Sequence, residues 1–220
     1  MIKAVVFDLD GTLLDTIPDI AAALNCALER CGLPTHPVRA CEQFVGSGIR
    51  EAVSRALPQD CPEEVRERVL AAYLERYPGH CMEQTAPYPG VRELLDGLVR
   101  RGLALGVLSN KTQAPAQRIV RHYFPDIPFR CVLGRVDGRP LKPDPAAAAP
   151  VLEALALPPA EIAYVGDSGT DMAFALAAGM RPAAAPWGYR SMAELLEEGA
   201  ALVPETPEGL LELLLAAAGR

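Results

Sequence analysis

The chain is 220 residues long, 50% hydrophobic and 22% charged, a globular composition sufficient for one large domain or a domain carrying a smaller insert. Its formal net charge of −7, with no basic face and no Lys/Arg run between aromatics, excludes a general nucleic-acid binder. No window approaches the ~18 apolar residues of a membrane span, and the N-terminus passes from Lys3 through a short apolar run into aspartates, unlike a secretory signal. No membrane partner is expected, and the chain reads as cytoplasmic.

In chain order, "IKAVVF" (residues 2–7) reads as a short buried strand. From about residue 15 to residue 87 no strand pattern follows. That stretch holds only helix-like runs, "IPDIAAALNCALERCG", "GIREAVSRAL" and "CPEEVRERVLAAYLERY". Pro18 near the start of the first run and Gly32 just past its end are the expected asymmetry of helix termini. The proline and glycine of "APYPGVREL" mark a linker back to a different pattern. Thereafter strands "LALGVLS" (residues 103–109), "FRCVLG" (129–134) and "EIAYVG" (161–166) alternate with the helical runs "VRELLDGLVRRG", "QAPAQRIVRHYF", "DPAAAAPVLEALAL" and "TDMAFALAAGM". "RPAAAPW" (181–187) and "ALVP" (201–204) are weaker strand candidates. Apolar strands alternating with amphipathic helices predict βαβ units, hence an α/β fold with a doubly wound parallel sheet, interrupted after its first strand by a helical insert.

Six cysteines occur, but with no CxxC pair and no CxxC…HxxxH spacing, so they read as reduced, packed thiols and not as a zinc site. The three histidines are scattered without an implied serine or cysteine partner.

The chemistry gathers where strands end. The first strand runs into Asp8 and Asp10, the second into Ser109, Asn110 and Lys111, and the fourth into "GDSGTD", residues 166–171, while "LKPDP" with Lys142 follows the third. Ligands of open parallel sheets bind beyond the carboxyl ends of strands, so these groups are expected to converge. Asp8, Asp10 and Asp167 offer hard oxygen ligands of the kind Mg²⁺ prefers. Ser109 adds a hydroxyl donor and Lys142 a cation for a phosphoryl group, and together the parts describe phosphoryl transfer.

"DLDGT", "SNK", "KPDP" and "GDSGTDM", in that order, resemble the four motifs of the haloacid dehalogenase-like hydrolase superfamily, and the insert after the first motif resembles its phosphoglycolate phosphatase branch. The resemblance implies a Rossmann-like core domain (residues 1–14 and 87–220) with an inserted α-helical cap (15–86). It further implies Asp8 as nucleophile and Asp10 as general acid/base. Thr12, Ser109, Asn110 and Lys142 would hold the phosphoryl group, and Asp8, the Asp10 main-chain carbonyl and Asp167 would hold Mg²⁺ with Asp171 in support. The implied partner is a small phosphorylated metabolite, with 2-phosphoglycolate the leading substrate. A phosphomutase of the β-phosphoglucomutase type is the alternative.

In the insert, "FVGSGIRE" places Gly46, Ser47 and Arg50 in a glycine-rich loop opening a helix, where backbone N–H groups and a guanidinium suit a substrate carboxylate. The only lysines are Lys3, Lys111 and Lys142, so the insert lacks the lysine used by phosphonate-cleaving members of the superfamily. Lys111 reads as solvated, Trp187 and Tyr189 as packing against the sheet, and Asp171 as also able to serve the start of the next helix.

Overall fold

The computed structural model describes residues 1–219. The chain divides into two compact units, one formed by Met1–Leu14 with Pro87–Arg220 and the other by Asp15–Ala86.

The first unit is built on a five-stranded parallel sheet of β1 (Ala4–Phe7), β4 (Ala104–Thr112), β5 (Phe129–Arg135), β6 (Ile162–Gly166) and β7 (Arg181–Ala184), in the order β5-β4-β1-β6-β7. Two short strands, β2 (Leu14–Asp15) and β3 (Ala86–Pro87), pair with each other where the chain crosses between the units. β1 is wholly buried because both its edges are paired and both its faces covered. The period-two alternation of its side chains decides which face each serves. Ala4 and Val6 join Ile162 and Tyr164 in one apolar cluster with Val151, Phe174 and Ala175. These last three belong to helices α7 (Ala149–Leu155) and α8 (Gly169–Ala177). α5 (Val91–Arg100) packs on β4 and on the C-terminal helix α10 (Pro207–Ala217), while α6 (Gln113–Tyr123) packs on β4 and β5.

Two expectations change. "ALVP" forms no strand: Leu202 makes a single bridge to Ala183, because the segment meets the edge of β7 only through the backbone of Ala201 and Leu202. α9 (Met192–Glu197) and α10 are helices not foreseen, yet each has a side-chain cap, Ser191 Oγ accepting from Glu194 N at 3.3 Å and Thr206 Oγ1 from Gly209 N at 3.2 Å.

The second unit contains α1 (Ile17–Arg30), α2 (Val38–Cys41), α3 (Ile49–Ala56) and α4 (Glu63–His80). Its one fully buried carboxylate, Asp19, accepts from Gln84 N (2.9 Å), Thr85 N (2.9 Å) and Thr85 Oγ1 (2.7 Å), so the end of the unit is tied back to α1 without leaving a bare charge. The Asn25 carboxamide bonds both the carbonyl (2.8 Å) and the N–H (2.9 Å) of His36, fixing the chain after α1. Among the described residues, no helix is long and apolar enough to cross a membrane.

Candidate active site

Strand order reverses at β1, because the chain adds β4 and β5 on one side of it and then returns to add β6 and β7 on the other, and a crevice at the carboxyl ends of the strands is the expected ligand position. Asp8 follows β1 directly, its N–H donating to Val165 O of β6 at 2.9 Å. Its carboxyl group is 3.0 Å from Lys142 Nζ, accepts from Leu9 N at 2.7 Å and is hydrogen-bonded by the Ser109 hydroxyl. Burial pushes the Asp8 carboxyl up to about 6 against the pull of Lys142, with Asp171 and Asp10 adding to the rise.

Lys142 is almost wholly buried, and three acceptors surround its ammonium: Asp171 Oδ1 at 2.6 Å, Tyr164 Oη at 2.8 Å and Asp8 Oδ2 at 3.0 Å. An ammonium has three N–H bonds, so each is directed. Burial alone would push this group down, yet Asp171 and Asp8 hold it above its ordinary range, and it stays charged. Tyr164 in turn donates to Leu108 O at 2.7 Å, which anchors the acceptor to β4.

Asn110 fixes the loop that carries this lysine. Its amide nitrogen donates to Lys142 O and its amide oxygen accepts from Lys142 N, both at 3.0 Å. One N–H and one lone pair of the Asn110 carboxamide are thus used on the Lys142 backbone. Ser109, one residue earlier on β4, keeps its hydroxyl on Asp8.

Asp167, directly after β6, accepts from Thr12 Oγ1 at 2.9 Å through Oδ1 and from Tyr189 N at 3.0 Å through Oδ2. Burial drives its carboxyl well above the usual range, and Asp171 and Asp8 push the same way. Asp171, in the first turn of α8, accepts from both the N–H (3.1 Å) and the hydroxyl (2.6 Å) of Ser168 through Oδ2, so it serves the helix start and Lys142 together.

Carboxylate oxygens of Asp8, Asp167 and Asp171 lie within 4.8 Å of one another. Asp171 thus joins Asp8 and Asp167 in this side-chain cluster, while Asp10, expected to contribute its main-chain carbonyl, keeps its carboxylate outside it. The Asp10 carboxylate instead pairs with Lys111 at 2.7 Å. Lys111 is correspondingly not solvated, its side chain being only 5% exposed. Three buried carboxylates with one ammonium among them leave a deficit of positive charge, and hard oxygen donors at this spacing suit a divalent cation such as Mg²⁺.

Gly46, Ser47 and Arg50 lie in the second unit. Gly46 (φ 115°) and Gly48 (φ 88°) adopt left-handed backbone just before α3, as the glycine-rich spacing suggests. Ser47 Oγ accepts from Arg55 at 3.3 Å, and Arg50 forms an ion pair with Glu67 of α4.

Tyr164 and Ser168 are participants that sequence reading passed over and Lys111 one that it read as solvated, and Lys111 and Tyr164 left a trace. Ser109 and Lys111 are two apart on β4, a spacing that puts both on the strand end beside the Asp8–Asp10 turn. A tyrosine within an otherwise apolar strand needs a partner for its hydroxyl, and Tyr164 finds Lys142.

Comparison with known proteins agrees with this geometry. The family model for haloacid dehalogenase-like hydrolases matches residues 5–185. Phosphoglycolate phosphatase 1 of Pseudomonas aeruginosa is 34% identical over 215 residues, covering 95% of this chain and 78% of that protein. A phosphoglycolate phosphatase of Chromobacterium violaceum is 36% identical over 201 residues, covering 88% and 89%. Among solved structures, a candidate phosphoglycolate phosphatase of Lactobacillus delbrueckii subsp. bulgaricus superposes with a TM-score of 0.91 at 33% identity, covering 96% of this chain and 98% of that one.

Proposed function

Because the chain belongs to the haloacid dehalogenase-like hydrolase family and is a phosphoric monoester hydrolase, we propose that it hydrolyses 2-phosphoglycolate through a phosphorylated Asp8. The observation that carries this reading is the Asp8 carboxylate, held at the end of β1 between the Lys142 ammonium and the Ser109 hydroxyl. A nucleophile so placed has a cation and a donor ready for the oxygens of the phosphoryl group it attacks.

In the first step a carboxylate oxygen of Asp8 attacks phosphorus, the ester P–O bond breaks, and Asp10 delivers a proton to the leaving alkoxide. In the second, Asp10 takes a proton from water, the water oxygen attacks phosphorus, and the bond to Asp8 breaks to release phosphate. Ser109, Thr12, Lys142 and the backbone of Asn110 hold the phosphoryl oxygens. Mg²⁺ would be held by Asp8, Asp167 and the main-chain carbonyl of Asp10, with Asp171 in support, and would supply positive charge for those oxygens. We assign the second unit the part of a cap over this chemistry, and its Gly46, Ser47 and Arg50 the selection of the substrate carboxylate. The relatives named phosphoglycolate phosphatase support that choice of ester.

The test is phosphate release with Mg²⁺ across a panel of esters including 2-phosphoglycolate, sugar phosphates, nucleotides and pyrophosphate, with Asp8→Ala as control. Preference for 2-phosphoglycolate, abolished in the control, is the expected result. Indiscriminate release overturns the substrate, and interconversion of sugar-phosphate isomers without phosphate release favours a phosphomutase.

A further inference from the structure

The segment after β7, residues 185–190, supplies no group to the reaction described above, yet it lies against both turns that do. Ala185 N donates to Gly166 O at 2.9 Å, carrying the β6–β7 pairing one residue past the strand. Gly188 N then donates to Ala185 O at 3.0 Å and closes a turn. From this turn the indole N–H of Trp187 donates to the carbonyl of Thr12 at 2.9 Å, and the backbone N–H of Tyr189 donates to Asp167 Oδ2 at 3.0 Å. The other Asp167 oxygen, Oδ1, is held by Thr12 Oγ1 at 2.9 Å.

These bonds form a closed circuit. Asp167 has one fixed donor on each oxygen, the donors come from two different segments, and Trp187 locks those segments to each other. Gly188 sits where they meet: a Cβ there would overlap the carbonyl oxygen of Gly11 and the Asp167 side chain, so the turn closes down only on a residue without one. Gly11 (φ 82°) also meets Asp167, where a Cβ would overlap its carboxylate.

We propose that Trp187, Gly188 and the Tyr189 backbone form a positioning clamp that presets Asp167 and the Gly11–Thr12 turn for a divalent cation. The proposal rests on reading Asp167 as a cation ligand. A carboxylate oxygen accepts more than one bond, so one N–H or O–H donor on each leaves capacity for a metal while fixing the plane of the group. The rotamer freedom of Asp167 and of the turn is then already lost before the ion arrives, which strengthens binding. None of the three residues touches the substrate in this account, so their effect passes through Asp167.

The experiment is a calorimetric titration of Mg²⁺ into the metal-free full-length protein, comparing wild type with Trp187→Phe and Gly188→Ala. Trp187→Phe keeps the aromatic bulk and deletes the N–H. Gly188→Ala forces the turn off Asp167. Outer-shell partners of metal ligands typically contribute 10–100-fold in affinity, so each variant is expected to bind Mg²⁺ about tenfold or more weakly. The KM for the ester at saturating Mg²⁺ should not change. A merely structural turn would lower thermal stability and leave the Mg²⁺ dissociation constant at its wild-type value, and that result in the folded Trp187→Phe protein overturns the clamp even if Gly188→Ala does not fold. Absence of Mg²⁺ binding by the wild type would instead overturn the cation reading itself, a distinguishable failure.

Discussion

Lys111 Nζ lies 2.7 Å from Asp10 Oδ1 in an ion pair whose side chains are 5% and 18% exposed. A pair this sheltered is screened little by salt and holds the carboxylate in one orientation. With Asp10 as the acid for the leaving group, Lys111→Met releases that orientation. Alkyl phosphates need a proton on the departing oxygen, whereas an aryl phosphate such as p-nitrophenyl phosphate departs without much help. The kcat/KM of Lys111→Met for alkyl esters is expected to fall about tenfold or more, up to the 10²–10⁴ range of losing the general acid itself, while that for the aryl ester changes little. Asp10→Asn should show the same selectivity. Equal losses on both ester types would assign Lys111 to folding alone.

The Asp8 carboxyl, pushed up to about 6 by burial, makes the metal-free protein sensitive to pH in a stated direction. Between the ordinary 3.8 and about 6, folded Asp8 retains a proton that the unfolded chain has released. Stability therefore falls as pH rises through this window, and Asp167, also raised, acts with the same sign. Thermal denaturation without metal should give a higher midpoint near the bottom of the window than above it, and Asp8→Asn should flatten the dependence. Mg²⁺ requires the ionised carboxylates, so its apparent affinity is expected to weaken as pH drops below about 6, which calorimetry at several pH values would show.

Asn110 yields a separate prediction because its carboxamide grips Lys142 from both sides of the peptide backbone. Asn110→Ala leaves a buried N–H and a buried carbonyl without these partners, at a cost of roughly 1–3 kcal/mol for each group left unsatisfied. Asn110→Asp keeps the acceptor for Lys142 N, loses the donor to Lys142 O, and brings a fourth carboxylate beside Asp8. The expected order of kcat is wild type, then Ala, then Asp, from phosphate-release assays at saturating Mg²⁺. An Asp variant as active as wild type would contradict the positioning of Lys142 by the Asn110 carboxamide.

The parts of the molecule that were legible in the sequence are those fixed by local pattern. β1, β4 and β6 announce themselves because each is an apolar run closing on polar residues, the signature of a parallel strand covered on both sides, while the edge strand β5 remains legible although Arg130 interrupts its run. β7, with its alanines and Pro182, was a weaker signal, and it forms because β6 supplies its partner. "ALVP" has comparable apolarity, but only Ala201 and Leu202 bond to β7, and they form a single bridge and not a strand. α10 was not foreseen, although Thr206 followed by Pro207, a capping residue and a proline at the first helical position, is a local signal for it. Lys111 illustrates what sequence leaves open. A lone lysine is solvated by default, and only the pairing of β4 beside β1 brings its ammonium to Asp10. The Trp187 and Tyr189 bonds to Thr12 and Asp167 span 175 and 22 positions, and no local pattern encodes them.

Tyr164 offers a test of how far the Lys142 ammonium depends on its third acceptor. The hydroxyl accepts from Lys142 Nζ at 2.8 Å and donates to Leu108 O at 2.7 Å, while the ring packs edge-on against Phe174 at 5.0 Å between centroids. Tyr164→Phe keeps the ring and its packing, so the core is not opened. It removes the acceptor for one N–H of a buried ammonium and the donor for a buried carbonyl, losses of roughly 1–3 kcal/mol each where nothing replaces them. With only Asp8 and Asp171 left to hold it, the ammonium can follow either carboxylate, and its distance to the phosphoryl oxygens is no longer set. The expected outcome is a lower unfolding midpoint in urea together with a reduced kcat and a KM near that of the wild type. A variant with lowered stability and an unaltered kcat would show that Asp8 and Asp171 position Lys142 without the tyrosine.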